Sequence, residues 1–570
     1  MTQLGLITAI ELENFQSIRK RTRIDVRPLT FLYGPNSSGK SAIADAIDLF
    51  SSMLFEKEEI IREKIKRWIH RSTPKSEQSN TIYIAVEISE YNFYTDLGSR
   101  AADVIIEESP IADSRRPAKV ELRINDNAGI TEIKFHWDGK LILRGDLEES
   151  PLNQTKKLSI NLLQNPSAFG EHFLHLIDQE EERFKSWLAS VGVNAGDTVI
   201  QSYFSISDGY FSFGPLHYEL SSEVYSTESK SFFEYYIELI NALIYSYSSQ
   251  LKQLTTIDAS RGEIGASESF CTIGTLVHRD NSTPLAVPTI KSIDPATLFS
   301  SPNSFNSVLK NKYSPVYPVA NSFVEKLALE RAIGICHQND SSAADGQSPN
   351  LRRALGNDGY LRDATDRSFL FEEINHALSN HLFLDNGYQI EFEHIELLGR
   401  EAGDVPFDSS CESRMFAVVR VRLRNDQGQV LDFTDVGTGV SCVIPILQGA
   451  AGGSAFIQQP ELHLHPALQS ALMDSILEIR PQSGGPIVLE THSEHMMLRL
   501  LRRVRETSNG KHKIDPALAV TQNDISVYYF DPRGNGTTEV RRIRVSSLGE
   551  FIDRWPRGFF ADRATDLFDE

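Results

Sequence analysis

The chain has 570 residues and a formal net charge of −20, and its 40% apolar and 24% charged residues are an ordinary globular composition. An acidic chain is not a general nucleic-acid binder, so any contact with DNA must come from a local basic patch. Its four cysteines form no CxxC pair, which argues against a zinc site and a disulfide framework and favours a cytoplasmic protein. Since no run of about 18 apolar residues exists, no membrane span is predicted.

Short apolar or alternating segments organise the first 145 residues. The predicted strands are 9–12, 28–33, 81–89, 119–124 and the two arms of a hairpin over 132–143. The hairpin is expected to turn at Asp138 and Gly139. Residues 41–50 and 56–71 have apolar side chains at helical spacing, and both are predicted helices.

The pattern changes between residues 146 and 370. Residues 232–251 and 319–333 have helical periodicity, and they alternate with stretches rich in Ser, Asn and Pro such as 300–307. A short strand is predicted at 255–258. We therefore expect 146–370 to be an insertion that is mainly helical and carries flexible loops.

Strand signals return after residue 371. The predicted strands are 388–393, 416–423, 430–433, 455–458 and 487–490. The last two are short apolar runs of the buried type, each followed by a helix. We expect them to neighbour the 31–33 strand in one mixed sheet flanked by helices, because all three must present their carboxyl ends to one ligand. The result is a predicted α/β domain whose halves, 1–145 and 371–570, flank the insertion.

The loop after the 28–33 strand fits GxxxxGK[ST] in full. Glycine permits the backbone to wrap a phosphate, the following helix points its positive end at it, lysine neutralises the β/γ oxygens and the serine hydroxyl binds Mg²⁺. The loop therefore predicts ATP or GTP binding with Mg²⁺, without separating kinases, GTPases and ATPases. Its candidate nucleotide-binding residues are Gly34, Pro35, Asn36, Ser37, Ser38, Gly39, Lys40 and Ser41, and Ser41 is also a candidate metal ligand.

Three segments nearly 400 residues further on indicate which class of nucleotide-binding protein the chain belongs to. Residues 435–441 form a Gly/Ser turn ahead of an apolar segment. Residues 455–466 are an apolar strand that ends in polar residues and proline, and 487–493 are a strand that ends in Thr-His-Ser ahead of a helix. Each segment alone is a weak signal, because such turns and strand-end histidines are commonly structural. Their order and spacing make the combination specific.

Together with the N-terminal stretch 13–36, these segments resemble the SMC/RecF-related, ABC-like AAA ATPases. The similarity is greatest to the OLD-type (overcoming lysogenization defect) branch of bacterial ATPases. Residues 437–441 resemble the ABC signature loop, 456–466 the Walker B and D-loop segment, and 491–493 the switch-histidine loop. The ending 555–560 also resembles the closing segment of this branch. The resemblance covers about the first 50 and the last 140 residues.

The resemblance implies a P-loop, ABC-ATPase-like head domain that sandwiches ATP between two copies of the chain. Gly437, Gly439 and Ser441 of one copy are expected to face the phosphate loop of the other, with the Ser441 hydroxyl on the γ-phosphate. His492 is expected to touch the γ-phosphate or to position the attacking water. A homodimer or higher oligomer follows from this arrangement.

The Walker B segment departs from the family pattern, because Gln458 and Gln459 stand where two acids are usual. An amide cannot accept a proton from water. Three interpretations stay open: Gln458 is a Glu-to-Gln substitution that traps the ATP-bound state, the protein is a slow ATPase that acts as a nucleotide-gated switch, or Glu461 supplies the carboxylate. The candidate catalytic residues are Gln458, Gln459, Glu461 and His492, and Gln458 is also placed at the metal. The nearby pair His463 and His465 resembles the D-loop better than a metal pair, so no zinc is predicted there.

Two functions are compatible with these motifs. The first is an ATPase that pairs on nucleotide and gates a DNA-linked process, such as antiphage defence or repair, with a separate effector. The second is a slow or non-hydrolysing sensor or scaffold that holds an effector protein. Basic clusters at 64–71, 499–505 and 541–544 are candidates for DNA contact, although ion-paired surfaces are slightly favoured for each. Only 75 residues follow His495, so the nuclease domain of OLD proteins is not expected, and a separate nuclease or toxin would act as effector.

Overall fold

A computed structural model describes residues 7–52, 58–69, 81–91, 116–125, 129–137, 139–149, 155–162, 199–205, 255–257, 259, 270–278, 286–292, 373–384, 386–397, 411–480, 485–509 and 516–556. The longer helices are α1 (Ala42–Ser52), α2 (Glu58–Trp68), α3 (Thr438–Ala451), α4 (Pro466–Ile479) and α5 (Glu494–Ser508). The strands are β1 (Ile7–Glu13), β2 (Thr22–Asp25), β3 (Leu29–Tyr33), β4 (Thr81–Tyr91), β5 (Arg116–Asn125), β6 (Gly129–Trp137), β7 (Lys140–Glu149), β8 (Thr155–Leu162), β9 (Val199–Ser205), β10 (Thr255–Ile257), β11 (Phe270–His278), β12 (Ala286–Ser292), β13 (Gln389–Leu397), β14 (Cys411–Arg424), β15 (Val430–Leu431), β16 (Ala455–Gln458), β17 (Ile487–Glu490), β18 (Ile525–Pro532) and β19 (Thr538–Arg542).

A central sheet runs in the order β10-β16-β17-β3-β18-β19. Its first five strands are parallel, and β19 runs antiparallel to β18. All residues of β3 and β17 are buried, because strands in the middle of a parallel sheet are covered on both faces. The predicted α/β fold with a mixed sheet flanked by helices is confirmed, as is the prediction that strands β3, β16 and β17 are neighbours.

The register of the central sheet brings three strand ends level with one another. Gln458 on β16 pairs with Glu490 on β17, which pairs in turn with Leu32 on β3. The loops that follow these strands therefore leave the same edge of the sheet. This edge receives the phosphate loop, the Gln-Gln-Pro-Glu segment and the Thr-His-Ser segment together.

Part of the expected insertion belongs to the central sheet. Strand β10 pairs in parallel with β16, with Thr255 opposite Ala455 and Ile257 opposite Ile457. The other strands within 146–370 extend outer sheets: β8 and β9 follow β7, while β11 and β12 pair next to β14. The described residues of this range lie almost wholly in strands, and the mainly helical character of the whole range stays a prediction. The predicted helices 232–251 and 319–333 lie outside the described residues.

The strands of the N-terminal half other than β3 lie in a large antiparallel sheet, which also includes β8 and β9. Its strand order is β2-β1-β4-β5-β6-β7-β8-β9. The predicted hairpin is confirmed, and its turn contains Gly139 with a φ of 73°, a value that favours glycine. This sheet is attached to the central one at Asp25, whose backbone N–H donates to the Tyr528 hydroxyl at 2.8 Å. The Arg27 guanidinium also donates to the carbonyl of Gln522 at 2.9 Å.

The hairpin β18–β19 completes the central sheet next to β3 and was not predicted. Seven of the eight residues of β18 are buried, and its Ile-Ser-Val-Tyr-Tyr-Phe sequence is a signal of the buried-strand type. Tyr529 pairs with Tyr33 at the end of β3. Trp555 packs edge-on against both of these tyrosine rings, at 6.0 and 5.3 Å. In the part of the chain described above, no helix is both long and apolar enough to cross a bilayer.

Candidate functional site

The phosphate loop depends on glycine at two positions. Gly34 has a φ of 149°, and a Cβ atom there would lie 2.5 Å from the Phe530 carbonyl oxygen. Gly39 has a φ of 86°, and a Cβ atom there would overlap the Ser17 hydroxyl. Both backbone conformations are rare for residues with side chains. The loop therefore has its tight curvature because neighbouring elements pack directly against its backbone.

The middle of the loop is braced from outside. The Thr538 hydroxyl on β19 donates to the Ser38 carbonyl at 2.7 Å, and the Ser17 hydroxyl lies 3.4 Å from the same oxygen. The Ser38 side chain is fully buried, and within the described residues its hydroxyl has no hydrogen-bond partner. A buried hydroxyl without a partner is costly, so a ligand oxygen in the loop would satisfy it.

Lys40 lies inside the loop. Its ammonium group donates to the carbonyls of Gly34 and Pro35, each at 2.9 Å, and only 3% of its side chain is exposed. Burial lowers the pKa of Lys40, while the nearby Glu490 carboxylate opposes this shift. The lysine is therefore a buried cation with one carboxylate, Glu490, at 4.0 Å.

Glu490 was not among the predicted site residues, yet its carboxylate contacts the end of the phosphate loop. The Ser41 hydroxyl donates to Glu490 Oε2 at 2.9 Å, while Oε1 faces Lys40. Burial raises the pKa of Glu490, and the Ser41 hydrogen bond and the Lys40 charge oppose this. The signal available in the sequence was a single carboxylate at the end of a buried strand, directly before Thr-His-Ser.

Gln458 and Gln459 lie beside this carboxylate. Gln458 is in register with Glu490 on the adjacent strand, and residues in register on parallel strands project to the same face of a sheet. The Gln459 N–H donates to the Glu490 carbonyl at 2.6 Å, and Gln459 has a φ of 44°. The carboxylate that contacts Ser41 thus comes from β17, whereas the family pattern places the acid on β16. The catalytic and metal roles of the two glutamines stay predictions.

Glu461 joins two of the loops at this edge. Its Oε2 accepts from the Thr491 hydroxyl at 2.6 Å, and its Oε1 accepts from the His492 backbone N–H at 2.7 Å. Tyr33 secures the next residue, since its hydroxyl donates to the Ser493 carbonyl at 3.0 Å. Both carboxylate oxygens of Glu461 are therefore engaged in positioning the Thr-His-Ser segment. The interpretation of Glu461 as the working carboxylate stays untested.

His492 carries a half-buried imidazole close to Lys40. Its Nε2 atom is buried and makes no hydrogen bond within the described part of the chain. Burial lowers the pKa of His492, and the Lys40 charge lowers it further. The lowered pKa favours the neutral imidazole, which can exchange a hydrogen bond with a ligand or a water molecule.

The segment that resembles the signature loop begins a helix. Gly437 is the N-cap residue of α3, and both Gly437 and Thr438 are exposed. Gly439 packs closely against the D-loop segment, because a Cβ atom there would lie 3.0 Å from the His463 carbonyl oxygen. The Ser441 side chain is buried one turn into the helix, with its hydroxyl 3.5 Å from the Phe433 carbonyl. The exposed hydroxyl at this helix start is that of Thr438, whereas the sequence pattern pointed to Ser441.

The residues at the sheet edge fit a nucleoside triphosphate with Mg²⁺. A loop with two required glycines, a buried lysine and the Ser38 hydroxyl, which has no hydrogen-bond partner among the described residues, match phosphate oxygens. The adjacent Ser41 hydroxyl and Glu490 carboxylate are oxygen donors of the type that Mg²⁺ prefers. The half-buried imidazole of His492, with its buried Nε2 atom, completes the set of polar groups at this edge.

Arginines of two of the three basic clusters, 499–505 and 541–544, form ion pairs with nearby acids. On α5, Arg503 forms ion pairs with Asp474 and Glu506, each at 2.7 Å. In the hairpin region, Arg542 pairs with Asp25 at 3.1 Å, and Arg544 pairs with Asp553 at 2.8 Å. Paired arginines offer less net charge to a phosphate backbone, so these clusters fit the ion-paired alternative better than a DNA-binding patch.

Replacing Glu461 with glutamine tests the bracing role of this carboxylate. Both of its oxygens accept hydrogen bonds, and a glutamine would turn an NH₂ group toward one of the two donors. We expect the free energy of unfolding to fall by about 1–3 kcal/mol. Urea unfolding measures the change, and Glu550→Gln, at an exposed position away from this edge, serves as the control. An unchanged free energy of unfolding would show that the hydrogen bonds accepted by Glu461 do not stabilise the fold.

A known protein family matches the N-terminal part of the chain, past its midpoint. The family described as AAA ATPase domain matches residues 6–321, which is more than half of the chain. Comparison with curated protein sequences finds no match. The crystal structure of an SMC head bound to the C-terminal winged-helix domain of ScpA is 11% identical, with 95% of this chain and 98% of that chain covered and a TM-score of 0.36.

Two further structures have similar scores. The SMC head domain with an extended coiled coil from Pyrococcus furiosus, bound to the C-terminal domain of ScpA, is 13% identical. The comparison covers 95% of this chain and 97% of that chain, with a TM-score of 0.35. The SMC head domain from Thermotoga maritima is 8% identical, with 95% and 100% covered and a TM-score of 0.33.

Proposed function

This chain belongs to the AAA ATPase domain family, and from that premise we propose that it hydrolyses ATP with Glu490 as the acid beside the metal. Its fold is that of a P-loop, ABC-ATPase-like head, with a mixed sheet flanked by helices. The observation that carries the proposal is the Glu490 carboxylate, which lies between the Lys40 ammonium and the Ser41 hydroxyl. Steady-state ATP turnover by the purified chain, measured with and without Mg²⁺, tests it.

Glu490 can replace an acid on β16 because of the register of the sheet. The two positions are neighbours, since Gln458 and Glu490 pair directly across β16 and β17. A carboxylate at either strand end reaches the same edge, where Ser41 directly precedes α1. Burial raises the pKa of Glu490. A divalent cation there would offset this effect, because positive charge favours the ionised carboxyl group.

Each side chain at the edge has a separable task in the proposed reaction. Lys40 and the loop N–H groups bind the phosphate oxygens, while Ser41 and Glu490 hold the metal and its waters. Bound Mg²⁺ supplies positive charge that neutralises the phosphates. The neutral His492 imidazole orients water at the γ-phosphate by a hydrogen bond. Glu461 positions His492 through its backbone N–H.

We further propose that two heads pair across the nucleotide. The support is the exposed start of α3, where Gly437 and Thr438 present backbone N–H groups and a hydroxyl to the surface. Replacing Thr438 with arginine puts a bulky charge at this surface, so we expect nucleotide-induced pairing to be lost while each monomer still binds ATP. Sedimentation velocity with a slowly hydrolysed ATP analogue and Mg²⁺ measures the pairing.

A matched control separates the pairing surface from a general effect of an added arginine. Leu384 is 68% exposed and lies outside the proposed interface, so Leu384→Arg should pair as the parent does. Ser441 is unsuitable for this test, because arginine at a buried position would disturb packing. If Thr438→Arg pairs at the same analogue concentration as the parent, the result contradicts the proposal that two heads sandwich the nucleotide at this surface.

The biological setting is proposed on the sequence motifs. The segments 437–441, 456–466 and 491–493 support placement in the OLD-type branch, and with it a role in antiphage defence or repair that uses a separate nuclease or toxin. DNA contact is the least supported part, because the described basic clusters are ion-paired. The glutamines at 458 and 459 favour the second function, an ATP-bound scaffold for an effector. Absence of ATP turnover together with tight, Mg²⁺-dependent ATP binding would select the scaffold.

A further inference from the structure

A second cluster of chemically reactive side chains lies outside the nucleotide site. It consists of His376 and His381 on one helical segment and Glu478 near the end of α4. His381 Nε2 lies 2.9 Å from Glu478 Oε2, and His376 Nδ1 lies 3.7 Å from Glu478 Oε1. One possible ligand atom from each of the three residues lies within 4.8 Å of the other two.

The two histidines share one face of the segment because its hydrogen bonding changes. Residues 373–377 are α-helical, whereas Leu378–Leu382 form a π-helix, in which the Phe383 N–H donates to the Leu378 carbonyl at 2.9 Å. In a continuous α-helix, residues five apart would lie about 140° apart around the axis. The wider π turn brings position i+5 back above position i, and the two imidazole rings lie 5.3 Å apart.

The opposite face of this segment is fixed to the core. Ile374 and Leu378 are fully buried, and Leu382 is nearly so. The Asn375 side chain accepts from the Ile390 N–H at 2.7 Å on β13. The orientation of the histidines is therefore set by packing and by a backbone contact. Single-turn π segments inside helices occur frequently at functional sites.

The ligand set matches a transition metal better than a hard cation. Two imidazoles and one carboxylate are a common zinc set, with the fourth position left to water. In a tetrahedral zinc site, neighbouring ligand atoms lie about 3.4 Å apart, and the two distances to Glu478 bracket this value.

We propose that His376, His381 and Glu478 bind one Zn²⁺ ion, with an open position toward solvent. Each of the three side chains is at least one-quarter exposed, so the cluster lies near the surface, although the His381 Nε2 atom itself is buried. The ion would fasten the 373–382 segment to α4, and α4 begins directly after the loop that contains Glu461. The site is independent of ATP chemistry, since none of its ligands contacts the phosphate loop in the described residues.

The test uses the full chain, treated with chelator and then dialysed against Zn²⁺ in the absence of nucleotide. We expect one Zn²⁺ per chain and a rise in the midpoint of thermal unfolding on zinc addition. His381→Ala and Glu478→Gln should each lower the zinc affinity by at least about tenfold, since even groups that only support metal ligands have effects of this size. An excess of Mg²⁺ should not displace the zinc, because imidazole suits Zn²⁺ better than Mg²⁺.

One control variant and one conservative test variant make the result decisive. His495→Ala removes a partly exposed histidine outside the cluster and should leave zinc binding unchanged. Glu478→Gln keeps the size of the side chain, so it serves if an alanine variant fails to fold. Unaltered zinc binding by Glu478→Gln and His381→Ala would overturn the proposal, as would a parent chain that binds no zinc. The cluster would then be a histidine–glutamate ion pair only.

Discussion

Replacing Lys40 with alanine is expected to lower the affinity for ATP by about 30-fold to several thousand-fold. This corresponds to the roughly 2–5 kcal/mol lost when one partner of a buried, hydrogen-bonded charge pair is truncated. Lys40 is buried inside the phosphate loop, so its charge faces a ligand with little screening by water. Titration calorimetry with Mg²⁺ and a slowly hydrolysed ATP analogue measures the change.

Lys64 provides the matched control for this substitution. It lies on α2 and pairs with Asp48 at the surface, so its removal should leave ATP affinity unchanged within about twofold. Thermal unfolding without nucleotide checks that Lys40→Ala still folds. Equal ATP affinities of the parent and Lys40→Ala would place the nucleotide at another site.

Replacing Glu490 with glutamine is expected to slow ATP turnover by about 10–100-fold and to raise the Mg²⁺ concentration needed for half-maximal activity. Glutamine can still accept the hydrogen bond from Ser41, so the substitution removes charge with little change in shape. ATP binding without Mg²⁺ should change much less, because Lys40 and the loop backbone remain. Turnover measured across a Mg²⁺ series gives both quantities.

Moving the carboxylate from one strand to its neighbour tests the role of Glu490 more directly. Gln458 and Glu490 are in register, so a double variant with Gln458→Glu and Glu490→Gln returns one carboxylate to the same edge. We expect it to recover part of the turnover lost in Glu490→Gln. Gln458→Glu alone should raise turnover if the parent is short of a metal-binding acid. If Glu490→Gln is as active as the parent, Glu490 is not the acid beside the metal. Glu461 then becomes the candidate for that carboxylate.

The sequence was informative where one residue type is required at a fixed spacing. The phosphate loop needs glycine at two strained positions and a lysine between them and the helix, so Gly34, Gly39 and Lys40 could be identified without a structure. The level strand ends of β3, β16 and β17 followed from buried apolar runs, each succeeded by polar residues. These inferences required no knowledge of side-chain packing.

Glu490 and Thr438, on which the proposed metal site and pairing surface rest, were not predicted, for a common physical reason. Which carboxylate reaches Ser41 depends on the register between two strands, and which hydroxyl is exposed depends on where α3 begins. Neither quantity is encoded in the spacing of a motif. The family pattern directed attention to positions 458 and 441, where the side chains are respectively an amide and a buried serine.

The insertion shows a second limit of periodicity. Strand β10 has only three residues, too few for a period to be measured, yet its pairing with β16 makes it part of the central sheet. The π turn that brings His376 and His381 together is also invisible to a search for α-helical spacing, since it changes which residues share a face. Long-range pairing and local changes of hydrogen bonding decide both cases.

The hydrogen bond between Ser41 and Glu490 joins residues that are 449 positions apart. A ribosome that has made the phosphate loop must therefore add most of the chain before the carboxylate exists, and an unfinished product carries the loop alone. Closing so long a stretch of chain is slow compared with forming local contacts. Tight, Mg²⁺-dependent nucleotide binding would then report that the chain has been made at least as far as β17 and has folded, and fragments that end before β17 would be silent in such an assay.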